Sequence, residues 1–267
     1  MDNLKNIGAF LNEKAGLYQQ PSFIPLDPIS IPHQFSKKQD IEIAAFFAAI
    51  LSWGNRKAII QSCNRLMELM DNAPYPFIMD RHFKLNLEKV LKQHPFVHRT
   101  FNAFDLQHLL HFMHHHYFIK QEKSLETAFT RGLKPDDEHV GNALIAFQQY
   151  VFGYDANAHQ EIHCRKHISS PEKKSACKRL NMFLRWMVRS QDNGIDFGLW
   201  KKILPTQLVC PLDVHVARVA RKLGLVTRKQ DDWQTALELT GMLKRFDAQD
   251  PVKYDFALFG LGVMEKF

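Results

Sequence analysis

The chain has 267 residues, 45 % apolar and 24 % charged, with a formal net charge of +7 and a sequence pI near 9.2. That is ordinary for a soluble globular protein with a substantial core, and it excludes a disordered polyelectrolyte. No apolar run approaches the roughly 20 residues that cross a bilayer, and MDNLKNIGAFLNEKAG lacks a basic start followed by an apolar stretch, so neither a span nor a signal peptide is expected. The four cysteines (Cys63, Cys164, Cys177 and Cys210) are too widely spaced for a paired-cysteine zinc site or a disulfide framework, which suits a reducing cytoplasm. The basic balance points to a polyanionic partner.

Glycine is sparse and helical periodicity dominates, so the chain reads as all-α. Residues 1–20 form an amphipathic helix. Residues 21–36, PSFIPLDPISIPHQFS, carry four prolines and read as an extended connector. From Ser36 a helix follows in which Ala44, Ala45, Phe47, Ala48, Ile50 and Leu51 are apolar nearly all round, the mark of a central buried helix. It breaks at Trp53-Gly54-Asn55-Arg56-Lys57, and the next helix carries Ile59, Ile60, Cys63, Leu66, Met67 and Met70 inward. Two or three helices occupy 80–130, another 138–152, and a polar loop with His159, His163 and His167 covers 153–170.

Ser170-Pro171-Glu172 reads as a helix start, with Ser as cap and Pro at the first position, and the helix is expected to run to Arg189. A short helix is expected over Phe197–Leu204, and two more near 231–246 and 251–264. In HLLHFMHHH, His108, His111 and His115 share a helix face, but no acid or cysteine at matching spacing completes a ligand set, so no metal is expected.

The stretch CPLDVHVARVARKLGLV opens another helix at Asp213. Asp is a good N-cap, and capping is the usual role of an Asp placed there. Its surroundings are unusual. Arg165 to Arg189 holds eight basic residues against Glu172, and Lys201 to Lys229 holds seven against Asp213. Read as one continuous helix, Lys174, Lys178, Asn181, Arg185 and Arg189 share a face opposite the apolar stripe of Ala176, Leu180, Phe183, Leu184, Met187 and Val188. Such a face is either simply solvated or tracks phosphates. An acid inside it is repulsive to phosphate, and the helix dipole and amide donors at its position favour a carboxylate. A carboxylate there could stabilise a cationic sugar-like transition state, as cleavage of a glycosidic bond requires.

PLDVHVARVARKLGL resembles the segment that follows the hairpin in the helix-hairpin-helix (HhH-GPD) DNA glycosylases. FFAAILSWGNRKAIIQSCNRLMELM is similar to their early helix–turn–helix, and DPVKYDFALFGLGV to their closing helix. The chain also resembles an uncharacterised bacterial family marked by KRLNMFLRWMVR and PLDVHVARVARKLGL. The resemblance implies that Asp213 is the catalytic acid and that Gly54, Asn55 and Arg56 lie where gap-filling residues stand. The usual L-P-G-x-G hairpin with its lysine is missing. Archaeal 8-oxoguanine glycosylases carry that lysine further upstream, which makes Lys178 the matching nucleophile and Lys174 the second choice. No cysteine follows Cys210, so the four-cysteine iron–sulfur cluster is not expected, nor is any other cofactor.

The expectation is therefore a single glycosylase-like module over residues 1–267 with two lobes, one at about 40–150 and the other from about 1–39 plus 151–267. Asp213 would line the cleft between the lobes. As a monomer it would bind double-stranded DNA through Asn55, Arg56, Lys174, Arg185, Arg189 and Arg218. It would take a damaged base between Trp186, Phe197 and Trp200, and cleave the N-glycosidic bond with Asp213 and Lys178. The alternative is a nucleic-acid-binding protein of the same fold without chemistry.

Overall fold

The structure, a computed structural model, describes residues 2–154, 161–190 and 193–267. The described residues are all-helical, with no strand. The α-helices are α1 (Asp2–Tyr18), α2 (Lys38–Ile50), α3 (Arg56–Leu69), α4 (Pro74–Ile78), α5 (Phe83–Gln93), α6 (Ala103–His114), α7 (Glu126–Thr130), α8 (Gly141–Gly153), α9 (Glu161–Cys164), α10 (Lys178–Val188), α11 (Val214–Lys222), α12 (Trp233–Lys244) and α13 (Tyr254–Val263). None is long and apolar enough to cross a membrane.

The chain divides into two compact units. One comprises residues 1–24, 133–145 and 170–267; the other comprises 25–132 and 146–169. These divisions differ from the expected lobes. The connector after Ile24 belongs with the helices that follow it, and the start of α8 belongs with the C-terminal unit.

In the unit built on 25–132 and 146–169, α2 is the centre. From Asp40 to Ile50 every residue is buried, as its all-round apolar pattern predicts. Its only fully enclosed acid, Glu42, accepts hydrogen bonds from the Tyr117 hydroxyl at 2.8 Å and the Leu125 amide at 3.1 Å, which offset its desolvation. The proline-rich connector is not extended. It folds into 3-10 turns at Pro28–Ser30 and Pro32–Gln34 that pack against α2 and bury Ile29 and Ile31. Proline presets the φ such turns need, and each turn places proline first, where no amide is required. Asp27 caps the first by accepting from the Ile29 amide at 3.2 Å.

In the unit built on 1–24, 133–145 and 170–267, α13 packs between α1 and α11. Two glycines inside α13 permit this. A Cβ at Gly260 would collide with the Tyr18 ring of α1, and one at Gly262 would stand 3.1 Å from the His215 Cβ of α11. Glycine costs about 1 kcal/mol inside a helix; close helix approach is what it provides here.

The expected helix from 171 to 189 is divided. Pro171–Lys173 is a 3-10 turn capped by Ser170, Lys174 adopts a left-handed φ of 58°, Cys177 a left-handed φ of 51°, and only then does α10 begin. The expected helix at Phe197–Leu204 is absent. Gly198 has φ 58°, and this segment runs along the end of α10, where the Phe197 and Trp200 amides donate to the Trp186 and Met187 carbonyls at 2.8 and 2.9 Å. Those carbonyls lie in the last turn, where intrahelical donors run out.

Candidate active site

Asp213 is the N-cap of α11, as its place in the sequence predicts. Its Oδ1 accepts from the His215 and Val216 amides at 2.9 and 3.0 Å. The carboxylate is thus held by two of the orphan amides of a helix start. Lys178 is the first residue of α10, and its Nζ lies 3.9 Å from Asp213 Oδ2. The two side chains are 28 % and 23 % exposed, so both reach solvent. The start of α10 is fixed locally: Asn181 Nδ2 donates to the Ala176 carbonyl at 3.0 Å and the Cys177 amide to Ser175 Oγ at 3.2 Å. The left-handed backbone of Lys174 and Cys177 is costly for non-glycine residues and is typical of segments whose conformation serves a site.

Beneath this pair lies a chain of buried charges that the sequence did not reveal. Arg185 hydrogen-bonds Asp255 and stands 3.4 Å from Asp196 Oδ1. Arg189 hydrogen-bonds Asp196 and makes a bidentate pair with Asp250, 2.8 Å at each nitrogen. Both guanidiniums lie over the Phe256 ring, at 4.3 and 5.7 Å. Burial opposes the charge of Arg189, but its bonds to Asp250 and the nearby Asp196 outweigh it and raise its pKa. Burial pushes the Asp255 carboxyl up to about 6, against the pull of Arg185 and Lys178 and with the help of Asp213. Asp255 is therefore electrostatically coupled to both members of the surface pair.

These contacts correct the phosphate-facing row. Asn181, Arg185 and Arg189 are buried, Arg185 at 4 % and Arg189 at 1 % exposure, and the two arginines are spent on internal acids. The helical face expected to be solvated or to track phosphates is instead covered by the segment after α10 and by the segment leading into α13 and that helix's first turn. Lys174 is exposed, and Arg218 donates to the Gly262 carbonyl at 2.8 Å, tying α11 to α13. Trp186 and Trp200 are also enclosed, Trp200 edge-on to Phe183 at 5.2 Å, while Phe197 is half-buried. The two tryptophans are core residues in this conformation. Among the described residues, the buried Trp186 Nε1 and Asn181 Oδ1 have no hydrogen-bond partner in the protein.

Asn55 and Arg56 belong to the other unit. Asn55 caps α3 by accepting from the Ala58 amide at 3.2 Å and is exposed; Arg56 is half-buried. All four cysteines are buried thiols. Burial pushes Cys63 up to about 12 and raises Cys210 well above the usual thiol range, so neither is a nucleophile at neutral pH. The histidines of HLLHFMHHH do not converge on one point: His108 stacks on Phe152, His111 meets Phe83 edge-on and His115 tilts against Tyr154. His159 lies outside the described residues.

A family model described as "Protein of unknown function (DUF2400)" matches residues 27–264. The chain belongs to this family. The match reaches into both units, leaving out residues 1–24, and takes in every site residue named above. No curated protein and no solved structure matches the chain.

Proposed function

We propose that the chain is a DNA glycosylase of the helix-hairpin-helix type, with Lys178 and Asp213 as its reacting pair. The observation that carries this reading is the 3.9 Å approach of an amine and a carboxylate from two helix N-termini, both reaching solvent. In the reaction, the Lys178 Nζ lone pair forms a bond to C1′ of a damaged nucleotide. The C1′–N bond breaks, and the base leaves with that electron pair and takes a proton from solvent. Asp213 stabilises the positive charge that develops on the sugar ring and takes the proton lost by the amine. Opening of the sugar ring gives an imine with Lys178, from which strand cleavage can follow. Lys173, Lys174, Lys201, Lys202 and Lys222 are exposed on the same unit and supply phosphate contacts.

The test is a panel of duplex oligonucleotides carrying oxidised, deaminated or alkylated bases. Wild type should cleave at least one, and Asp213→Asn, which keeps the cap, should slow that cleavage by about 100-fold or more. Absence of cleavage across the panel, or undiminished cleavage by the variant, would overturn the reading. Burial of Arg185, Arg189, Trp186 and Trp200 favours a second reading, a DNA-binding protein without chemistry. It predicts salt-sensitive binding that survives Asp213→Ala.

A further inference from the structure

A second cluster lies in the other unit. Asp105, His163 and His167 each offer one ligand atom, and these atoms all lie within 4.8 Å of one another. We infer that this is a binding site for a divalent transition-metal ion of the Zn²⁺ kind. Asp105 Oδ1 is 2.8 Å from His163 Nδ1, and Asp105 Oδ2 is 3.4 Å from His167 Nε2. Ligand atoms around a tetrahedral Zn²⁺ with bonds near 2.0–2.1 Å stand about 3.3 Å apart, so small side-chain rotations suffice. Two imidazoles with one carboxylate favour zinc and its first-row neighbours over Mg²⁺ or Ca²⁺, which prefer all-oxygen sets. Three protein ligands leave a fourth position for water or substrate.

The surroundings hold the ligands in place. Asp105 Oδ2 accepts from the Asn102 amide at 2.9 Å in the capping box of α6, which orients the carboxylate. His167 is 3 % exposed, stacked on Trp53 at 5.4 Å and met edge-on by Phe101 at 5.0 Å. His163 is 49 % exposed and provides the entry path. Lys166 Nζ lies 2.7 Å from His163 Nε2. A lysine ammonium can only donate, so Nε2 accepts and Nδ1 carries the ring proton, donated to Asp105. The metal would replace that proton between the same two atoms. It would also join α9 and the turn after it to the start of α6, across 58 and 62 residues of sequence.

The experiment titrates the intact, chelator-treated protein with Zn²⁺ against a chromophoric chelator and with Co²⁺ by visible absorption. Wild type should bind one Zn²⁺ that His163→Ala weakens by about 100-fold or more, with a Co²⁺ spectrum lost in the same variant. Zn²⁺ should raise the melting temperature of wild type and not of His163→Ala or His167→Gln. Because His163 is half exposed, its alanine variant folds even if Asp105→Asn does not. Absence of Zn²⁺ binding, or binding with the same stoichiometry and affinity in His163→Ala, would overturn the assignment. The second result would place the metal on other histidines. Neither result depends on the chemistry of Lys178 and Asp213.

Discussion

Replacing Arg189 by alanine separates a buried ion pair from a phosphate contact. In the fold its guanidinium makes two bonds of 2.8 Å to Asp250 and one to Asp196, with Gln19 Oε1 at 3.5 Å. Charge-assisted bonds are worth about 1.5–3 kcal/mol each, so three would sum to about 4.5–9 kcal/mol. The Asp250 side chain is 20 % exposed and regains water, which reduces the loss. Asp196 does not: at 1 % exposure it keeps, among the described residues, only Arg185, at 3.4 Å. Removing one partner of a buried pair costs about 3–5 kcal/mol, and that range is the expected destabilisation. At about 2–4 °C per kcal/mol for a chain of this size, the melting temperature should fall by about 10 °C. Urea unfolding followed by far-ultraviolet circular dichroism measures it. Stability within about 0.5 kcal/mol of wild type, together with weaker, less salt-dependent DNA binding, would refute the buried-pair reasoning and restore Arg189 to the surface.

Three further outcomes follow from the same geometry. Burial lowers the His116 pKa from 6.5 to about 4. The unfolded chain therefore takes up this proton below about 6.5 and the fold only below about 4, so the stability contributed by neutral His116 is lost as pH falls through that window. Its full size is about 3 kcal/mol, and His116→Gln should flatten the acid limb of a stability–pH curve; an unchanged limb would contradict it. Gly260→Ala drives a methyl into the Tyr18 ring and should cost about 1–3 kcal/mol in chemical denaturation; a stabilised variant would show that α1 and α13 are not so close. Asp213→Ala should lose about 1 kcal/mol through the cap while Asp213→Asn stays near wild type; equal losses would mean the cap bonds are not made.

What could be read from the chain was local. The all-round apolar pattern of α2 and the cap at Asp213 are set by residues within a few positions, and both stand as expected. The failures are of two kinds. Lys174 and Cys177 take left-handed conformations that neither residue type announces, so the sequence pattern predicts one helix where a turn and a shorter helix exist. The sequence pattern places Arg185 and Arg189 on a phosphate-facing row because periodicity distinguishes an apolar face from a polar one, not a wet polar face from a buried one. Asp255 and Asp250, which settle the matter, lie 70 and 61 residues away. Asp105 likewise meets His163 across 58 residues, a pairing no spacing rule contains. Lys178 is singled out by resemblance alone, and its Nζ lies 3.9 Å from Asp213 Oδ2.

The central claim concerns the amine of Lys178. Borohydride reduces an imine between a lysine and an abasic sugar to a stable amine, so incubation with a damaged duplex and borohydride, followed by peptide mass spectrometry, reads the nucleophile directly. One cross-linked peptide is expected, modified at Lys178, that disappears in Lys178→Gln and accumulates far more slowly in Asp213→Asn. A cross-link at another lysine that persists undiminished in Lys178→Gln would contradict it.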